Sequence, residues 1–339
     1  MDFQEFKDKY EHKHVEEFVN QVPTQPVVSV CVQTYNHAAY IKECLDGILM
    51  QQTDFNFEIL LGDDDSNDGT REICLEYAQK YPQKIRLFLH HRENNIKING
   101  NPSGRFNLLY NLYSARGKYI ALCEGDDCWI DSLKLQKQVD FMEVNEEYSM
   151  CFHNGVVQFE PSGNRRLFKH NKWISENTKL YNESLQDRDY SGKEIYEGML
   201  ICPTASMVLV NNKRIFNDIL SLGFSGAADM LIILNSNEIG KIKGFKNCMS
   251  VYRVHCSGLL ASWSNVQGLK NGINHRNVIG KHFSGKYEKS TKLRNAKAYL
   301  HMSMFYINRV DVVNSTVCIF KSVFLWISAK TLFRNIVKN

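Results

Sequence analysis

The chain has 339 residues, 43% hydrophobic and 23% charged, with a net charge of +4. That length exceeds a minimal domain and suits one large α/β domain with additions. The mild, scattered positive charge argues against nucleic-acid binding. The ten cysteines, none in a Cys-x-x-Cys pair, argue for buried thiols in a reduced compartment rather than a disulfide scaffold or a zinc site.

In chain order, residues 1–22 read as a short amphipathic helix ended by Pro23 and Pro26. No signal-peptide pattern precedes it. Val27 to Val32 form a β-branched strand, and residues 38–50 carry apolar positions at helical spacing. Phe57 to Leu61 predict a second strand, Thr70 to Lys80 a helix, and Ile85 to Leu89 a third strand. Residues 105–115 read as helical, and Lys118 to Leu122 form a fourth strand. This alternation predicts a largely parallel sheet with helices on both faces. Residues 160–195 are polar and irregular, an insertion or mobile loop. Thr204 to Val210 predict a strand, 227–238 a helix, 249–254 a strand, and 267–339 a helical extension. No apolar run reaches the roughly 18 residues expected of a spanning helix.

Four constellations carry the chemistry. Asp63-Asp64-Asp65-Ser66 follows the second strand. Asp68, Gly69 and Thr70 suit a helix start, but capping does not need Asp63 and Asp64 as well. At the carboxyl end of a parallel strand, acids face the crevice where ligands bind. Glu124, Asp126 and Asp127 fall within four positions after an apolar strand. Such like charges repel unless a cation or donor groups compensate, so a divalent metal and its phosphates fit there. Asp131 reads as a helix cap. Asp229 is the lone acid at the start of an apolar helix, where it also suits the helix dipole. Arg253 and His255 alternate along a strand, so both point to one face, either to bind phosphate or metal or as part of a satisfied edge strand.

The order of these motifs closely resembles family 2 glycosyltransferases of the GT-A fold. Thr34-Tyr35-Asn36, Asp63-Asp64-Asp65-Ser66, Glu124-Gly125-Asp126-Asp127, Asp229 and Tyr252-Arg253-x-His255 occur in sequence across roughly residues 27–258. Glu-Gly-Asp-Asp-x-Trp-x-Asp, followed by Lys134-Leu135-Gln136-Lys137-Gln138, is similar to bacterial members that build surface polysaccharides. The resemblance implies a Rossmann-like, mixed but mostly parallel sheet flanked by helices. It also implies a lead-in helix (1–26), a nucleotide-sugar-binding half (27–155), an acceptor-binding half (156–266) and a C-terminal helical extension (267–339).

The same resemblance implies the site. Thr34 and Tyr35 would line the base pocket and Asp64 would hold a uracil-type base. Asp126 and Asp127 would serve the ribose and a Mg²⁺ or Mn²⁺ ion. Glu124 stands where many members carry the first Asp of Asp-x-Asp. Asp229 would be the catalytic base, and His255 would sit by the diphosphate and metal. The implied activity is inverting transfer of one sugar from a UDP-linked donor to a glycan or lipid-linked acceptor in polysaccharide assembly, since the Gln-x-x-Arg-Trp motif of processive members is absent. The expected location is cytoplasmic, at the inner face of the membrane. Residues 317–338 would make peripheral membrane contact, as an apolar run followed by Lys330, Arg334 and Lys338; a helix packed on the domain is the alternative. Rival assignments are a nucleotidyltransferase, which wants a Gly-rich basic loop after the first strand, and a non-catalytic sugar-nucleotide-binding protein, which would not need Asp229. A phosphatase of the Asp-x-Asp-Gly-Thr type fails because Ser66 stands where its nucleophilic acid would be.

Overall fold

A computed structural model describes residues 1–98, 100, 102–159, 178–180, 182–197, 202–220, 228–255, 266–309 and 311–336. The elements run α1 (Phe3–Tyr10), β1 (Glu16–Glu17), β2 (Val28–Thr34), α2 (Ile41–Leu49), β3 (Phe57–Asp63), α3 (Thr70–Lys80), β4 (Ile85–Leu89), α4 (Arg105–Ser114) and β5 (Tyr119–Glu124). There follow β6 (Cys128–Trp129), α5 (Lys134–Val144), β7 (Tyr148–Phe159), β8 (Thr178–Leu180), β9 (Arg188–Asp189), α6 (Gly192–Tyr196) and β10 (Val208–Val210). The chain continues through α7 (Ala228–Ile239), β11 (Lys241–Val254), α8 (Val266–His282), α9 (Glu288–Ile307) and α10 (Val312–Ile336).

The sheet order is β1-β4-β3-β2-β5-β10-β7-β11-β6. Strands β4, β3, β2 and β5 run parallel. Their apolar runs are buried on both faces, as a parallel sheet requires. Val30 and Val32 pack with Ile41 and Leu45 of α2 on one face. Cys31 between them packs with Phe106 and Leu109 of α4 on the other, the period-two alternation of a strand.

The sheet is less parallel than the sequence suggests. Strand β10 lies antiparallel to both β5 and β7, and β6 antiparallel to β11. Parallel pairing returns between β7 and β11. The predicted Thr204–Val210 strand is shorter, because Thr204–Ser206 form a 3-10 turn before β10. The predicted helix over 1–22 stops at Tyr10, and Glu16–Glu17 instead extend the sheet edge beside β4.

Residues 160–177 of the expected insertion lie outside the described residues. The rest is not irregular throughout: β8 pairs with β7, β9 pairs with β11, and Ser191 starts α6 with a capping box. The expectation that no apolar stretch could span a membrane is also corrected. Val312–Ala329 is long and apolar enough by composition, with a mean hydropathy of 1.6 over 18 residues. Every described cysteine is a free thiol.

Candidate active site

Parallel register brings three strand ends to one edge. Thr34 of β2 stands beside Asp63 of β3, and Gln33 beside Glu124 of β5. Ligands of such sheets bind at the carboxyl ends of the strands. Here that edge holds a row of buried polar atoms without hydrogen-bond partners among the described residues: Thr34 Oγ1, Asp63 Oδ1, Asp64 Oδ1 and Asp127 Oδ2. Each such atom costs about 1–3 kcal/mol when left unpaired, a cost that a ligand bound at this edge would relieve.

Asp64 and Tyr35 share one end of this edge. The Asp64 backbone N–H donates to Thr34 O at 3.0 Å. The Asp64 carboxylate accepts from Arg92 Nη1 at 2.5 Å and Asn95 Nδ2 at 3.1 Å. The Arg92 guanidinium lies 4.1 Å from the Tyr35 ring centroid, and Tyr35 is 40% exposed. Burial outweighs Arg92 and pushes the Asp64 carboxyl up to about 6. Asp63 is already paired, with Arg71 Nε at 2.5 Å. Asp68 takes the helix-start role, accepting from Thr70 N at 3.0 Å.

The acidic turn is tight: Asp127 N donates to Glu124 O at 2.9 Å and Gly125 N to Gln33 O at 2.9 Å. Gly125 is needed for close approach, because a Cβ there would stand 2.7 Å from Thr34 Oγ1 and 3.0 Å from His37 Nδ1. Pairing of Cys128 with Val251 and Trp129 with Ser250 then lays β11 along the turn. Arg253 N donates to Asp127 Oδ1 at 2.9 Å, and Arg253 Nη1 to Asp126 O at 2.8 Å. Arg253 also ion-pairs with Glu43 of α2. His255 Nε2 lies 3.0 Å from Asp126 Oδ2, and His37 Nε2 3.9 Å from the same oxygen. Asp131 accepts from Leu133 N at 2.9 Å, just before α5.

The charges interact strongly. Burial, then Asp126 and Asp229, push the Glu124 carboxyl up to about 8. Burial, then Asp126 and Glu124, raise Asp127 well above the ordinary carboxylate range. Burial opposes ionisation of Asp126 as well, but the His255 hydrogen bond and the charges of His37 and His255 outweigh it and hold that carboxyl low.

Asp229 opens α7, and its Oδ1 accepts from Met230 N at 2.7 Å. Gly226 and Ala227 of its motif lie outside the described residues. Burial raises the Asp229 carboxyl, while its backbone bonds and the charge of Arg105 oppose the rise. Asp229 is among the charges that raise Glu124, so the start of α7 lies within electrostatic reach of the acidic turn. The predicted residues therefore form two linked groups. Thr34, Tyr35 and Asp64 make one. Glu124, Asp126, Asp127 and His255, with Asp229 within electrostatic reach, make the other. Arg92 and Asn95 bond Asp64, and His37 lies by Asp126; these three escaped the sequence reading, and only their positions just after a strand or beside one hinted at them.

Among the described residues, no group of three or more His, Cys, Asp or Glu is arranged around a common metal position. Asp127 Oδ2, buried and without a partner, is a suitable first ligand.

The model of the family described as "Glycosyl transferase family 2" matches residues 29–201, the span that carries both groups up to the acidic turn and β7. The chain belongs to glycosyl transferase family 2. Its sheet, flanked by helices and extended by α8–α10, is the GT-A fold that the resemblance implied. Among relatives of this family 2 transferase, Rv1520 of Mycobacterium tuberculosis is 41% identical over 146 residues, 43% of this chain and 40% of its own length. The chain thus matches well under half the length of that relative. TuaG of Bacillus subtilis, named for a glycosyltransferase role in teichuronic acid biosynthesis, is 24% identical over 74% of this chain and 98% of its own. A mannosyltransferase from Pyrobaculum calidifontis, solved with GDP-Man and Mn²⁺, superposes with a TM-score of 0.48 at 16% identity, covering 96% of this chain and 91% of that one.

Proposed function

We propose that this glycosyltransferase moves one sugar from a UDP-linked donor to a hydroxyl of a glycan or lipid-linked saccharide, with inversion, in polysaccharide assembly. The observation that carries the reading is the row of unpartnered buried oxygens at the β2, β3 and β5 ends, with Asp229 within electrostatic reach of Glu124. The teichuronic acid role in the name of TuaG supports the polysaccharide setting. A cytoplasmic location goes with this reading, because nucleotide sugars are made there. Residues 27–155 would form the donor half and 156–266 the acceptor half.

Asp64 accepts a hydrogen bond from the N–H of a uracil-type base, and Thr34 and Tyr35 line the pocket around it. Asp127, with Asp126, would hold Mg²⁺ or Mn²⁺, which when bound supplies Lewis-acid neutralisation of a leaving diphosphate. His255 fixes the Asp126 carboxylate. Asp229 removes the proton of the acceptor hydroxyl, a service worth about 10²–10⁴ in rate. The hydroxyl attacks the anomeric carbon opposite the departing diphosphate, so one displacement inverts the configuration. Burial raises the basicity of Asp229.

A thermal-shift series of nucleotide sugars with and without Mn²⁺ tests the donor reading, because stabilisation grows with ligand concentration over Kd. A UDP-sugar that raises Tm only with Mn²⁺ is the expected result. No shift with any nucleotide sugar overturns the reading. A product that keeps the donor's anomeric configuration overturns the inverting mechanism.

A further inference from the structure

Charge is divided sharply along the chain. Residues 266–339 hold thirteen lysines and arginines against two acids, a net of +11, which leaves −7 for the first 265 residues of a chain whose total is +4. Such asymmetry between parts of a chain points to a charged surface as partner.

The basic part is the three-helix unit α8–α10, and α10 is built the wrong way round for water. Its buried positions carry small side chains, Ser315, Cys318 and Ala329, and Cys318 packs with Ala298 and Met302 of α9. Its large side chains face outward, with Val317 44%, Ile319 43%, Phe320 71% and Phe324 72% exposed. At ~3.6 residues per turn, these positions cover about half of the helix circumference. Only 17% of the stretch Val312–Ala329 is buried. Small residues between helices and large apolar ones outside is the pattern of helices that meet lipid. An exposed apolar face of this kind marks a docking surface.

We propose that this face of α10 docks on the surface of an anionic phospholipid bilayer. The helix lies along the surface rather than across it. Its partner α9 is tied to the domain, through Ser290 Oγ donating to Glu197 at 2.6 Å and Thr291 Oγ1 lying 2.7 Å from the Tyr196 hydroxyl. The Phe320 and Phe324 side enters the boundary between headgroups and acyl chains. The net positive charge of residues 266–339 favours anionic headgroups. A second copy of the chain is the poorer occupant, because it would bring one +11 unit against another. The inference is independent of the proposed transfer reaction, because α8–α10 supply none of the donor-site residues.

The test is co-sedimentation of the full chain with vesicles of phosphatidylcholine and phosphatidylglycerol (7:3), against pure phosphatidylcholine. Strong binding to the mixed vesicles and weak binding to the neutral ones is expected. The double variant F320E/F324E, at two exposed positions, should keep its circular dichroism and Tm but lose vesicle binding by about tenfold or more. Three results would overturn the proposal: no binding to the mixed vesicles, equal binding by wild type and double variant, or a vesicle-indifferent dimer that the double variant makes monomeric.

Discussion

His255 Nε2 sits 3.0 Å from Asp126 Oδ2, joining the end of β11 to the acidic turn after β5. With Arg253 bound to Asp126 O and Asp127 Oδ1, it fixes two neighbouring carboxylates in different settings. Asp126 is held ionised by its histidines, whereas Asp127 keeps one buried oxygen unpartnered. Asp127→Asn preserves an acceptor for the Arg253 amide and removes the charge. It is expected to lower turnover by about 10²-fold or more, the scale of several kcal/mol of lost charge stabilisation. Calorimetric titration with UDP should show that the Mn²⁺ dependence of binding has gone, with Tm little changed.

Asp229→Asn separates a transferase from a protein that only binds sugar nucleotides. The amide cannot take a proton from the acceptor, so turnover is expected to fall by about 10²–10⁴. Donor Kd should stay within about twofold, because on the proposed reading Asp229 serves the acceptor hydroxyl and not the donor. Full turnover in this variant would place the base elsewhere.

Nucleotide affinity should follow the ionisation of Asp64. Its carboxyl is pushed up to about 6 by burial, and only the carboxylate accepts freely from a base N–H. Affinity for uridine nucleotides is therefore expected to rise from pH 5 to pH 7 and then level, in the absence of added metal. The same shift carries a stability cost of the opposite sense. The folded state holds the proton more tightly than the unfolded chain, so this group's contribution falls as pH rises from about 4 to about 6. Asp64→Asn should abolish the pH dependence of affinity in fluorescence titrations.

Lys134 gives a stability prediction away from the chemistry. Its Nζ is buried without a hydrogen-bond partner, 4.0 Å from the Trp129 ring centroid, and burial pushes it down to about 7. The folded state thus releases this proton more readily than the unfolded chain. The contribution of Lys134 should rise with pH between about 7 and about 10 and be flat below 7. Lys134→Met keeps the apolar stem and removes the group, so urea unfolding of the variant should lose that slope and show greater stability near pH 6.

Gly125→Ala tests the fit between the first and fourth parallel strands. The added methyl meets Thr34 Oγ1 and His37 Nδ1. Overpacking of this kind costs about 1–3 kcal/mol, which denaturant titration resolves. Loss of donor binding should exceed the loss of stability, because both displaced groups line the site.

Much of the front half was legible in the sequence, because each strand there is a local event. Val28–Thr34, Phe57–Asp63 and Ile85–Leu89 are apolar runs that break into polar turns, and a parallel sheet puts all those breaks at one edge. What escaped depends on distant pairing. Strand β7 is twelve residues long but carries His153-Asn154-Gly155 at its middle, which breaks the apolar pattern. Its neighbours β10 and β11 lie far along the chain. Arg92 and Asn95 reach Asp64 from a turn after β4, at a spacing that no motif records. Glu43 of α2 stands 210 residues before Arg253, and only the fold pairs them. On α10, the sequence revealed apolar content but not direction. Packing decided that the small residues are buried and the large ones face out.

The Arg253 amide already engages one oxygen of Asp127, so that carboxylate can offer a visiting cation only a one-handed grip. With Asp126 as its helper, it would leave further coordination to water and the nucleotide. The chain is accordingly expected to tell Mg²⁺ from Mn²⁺ poorly, to hold neither firmly when idle, and to lose its ion each time a spent nucleoside diphosphate departs.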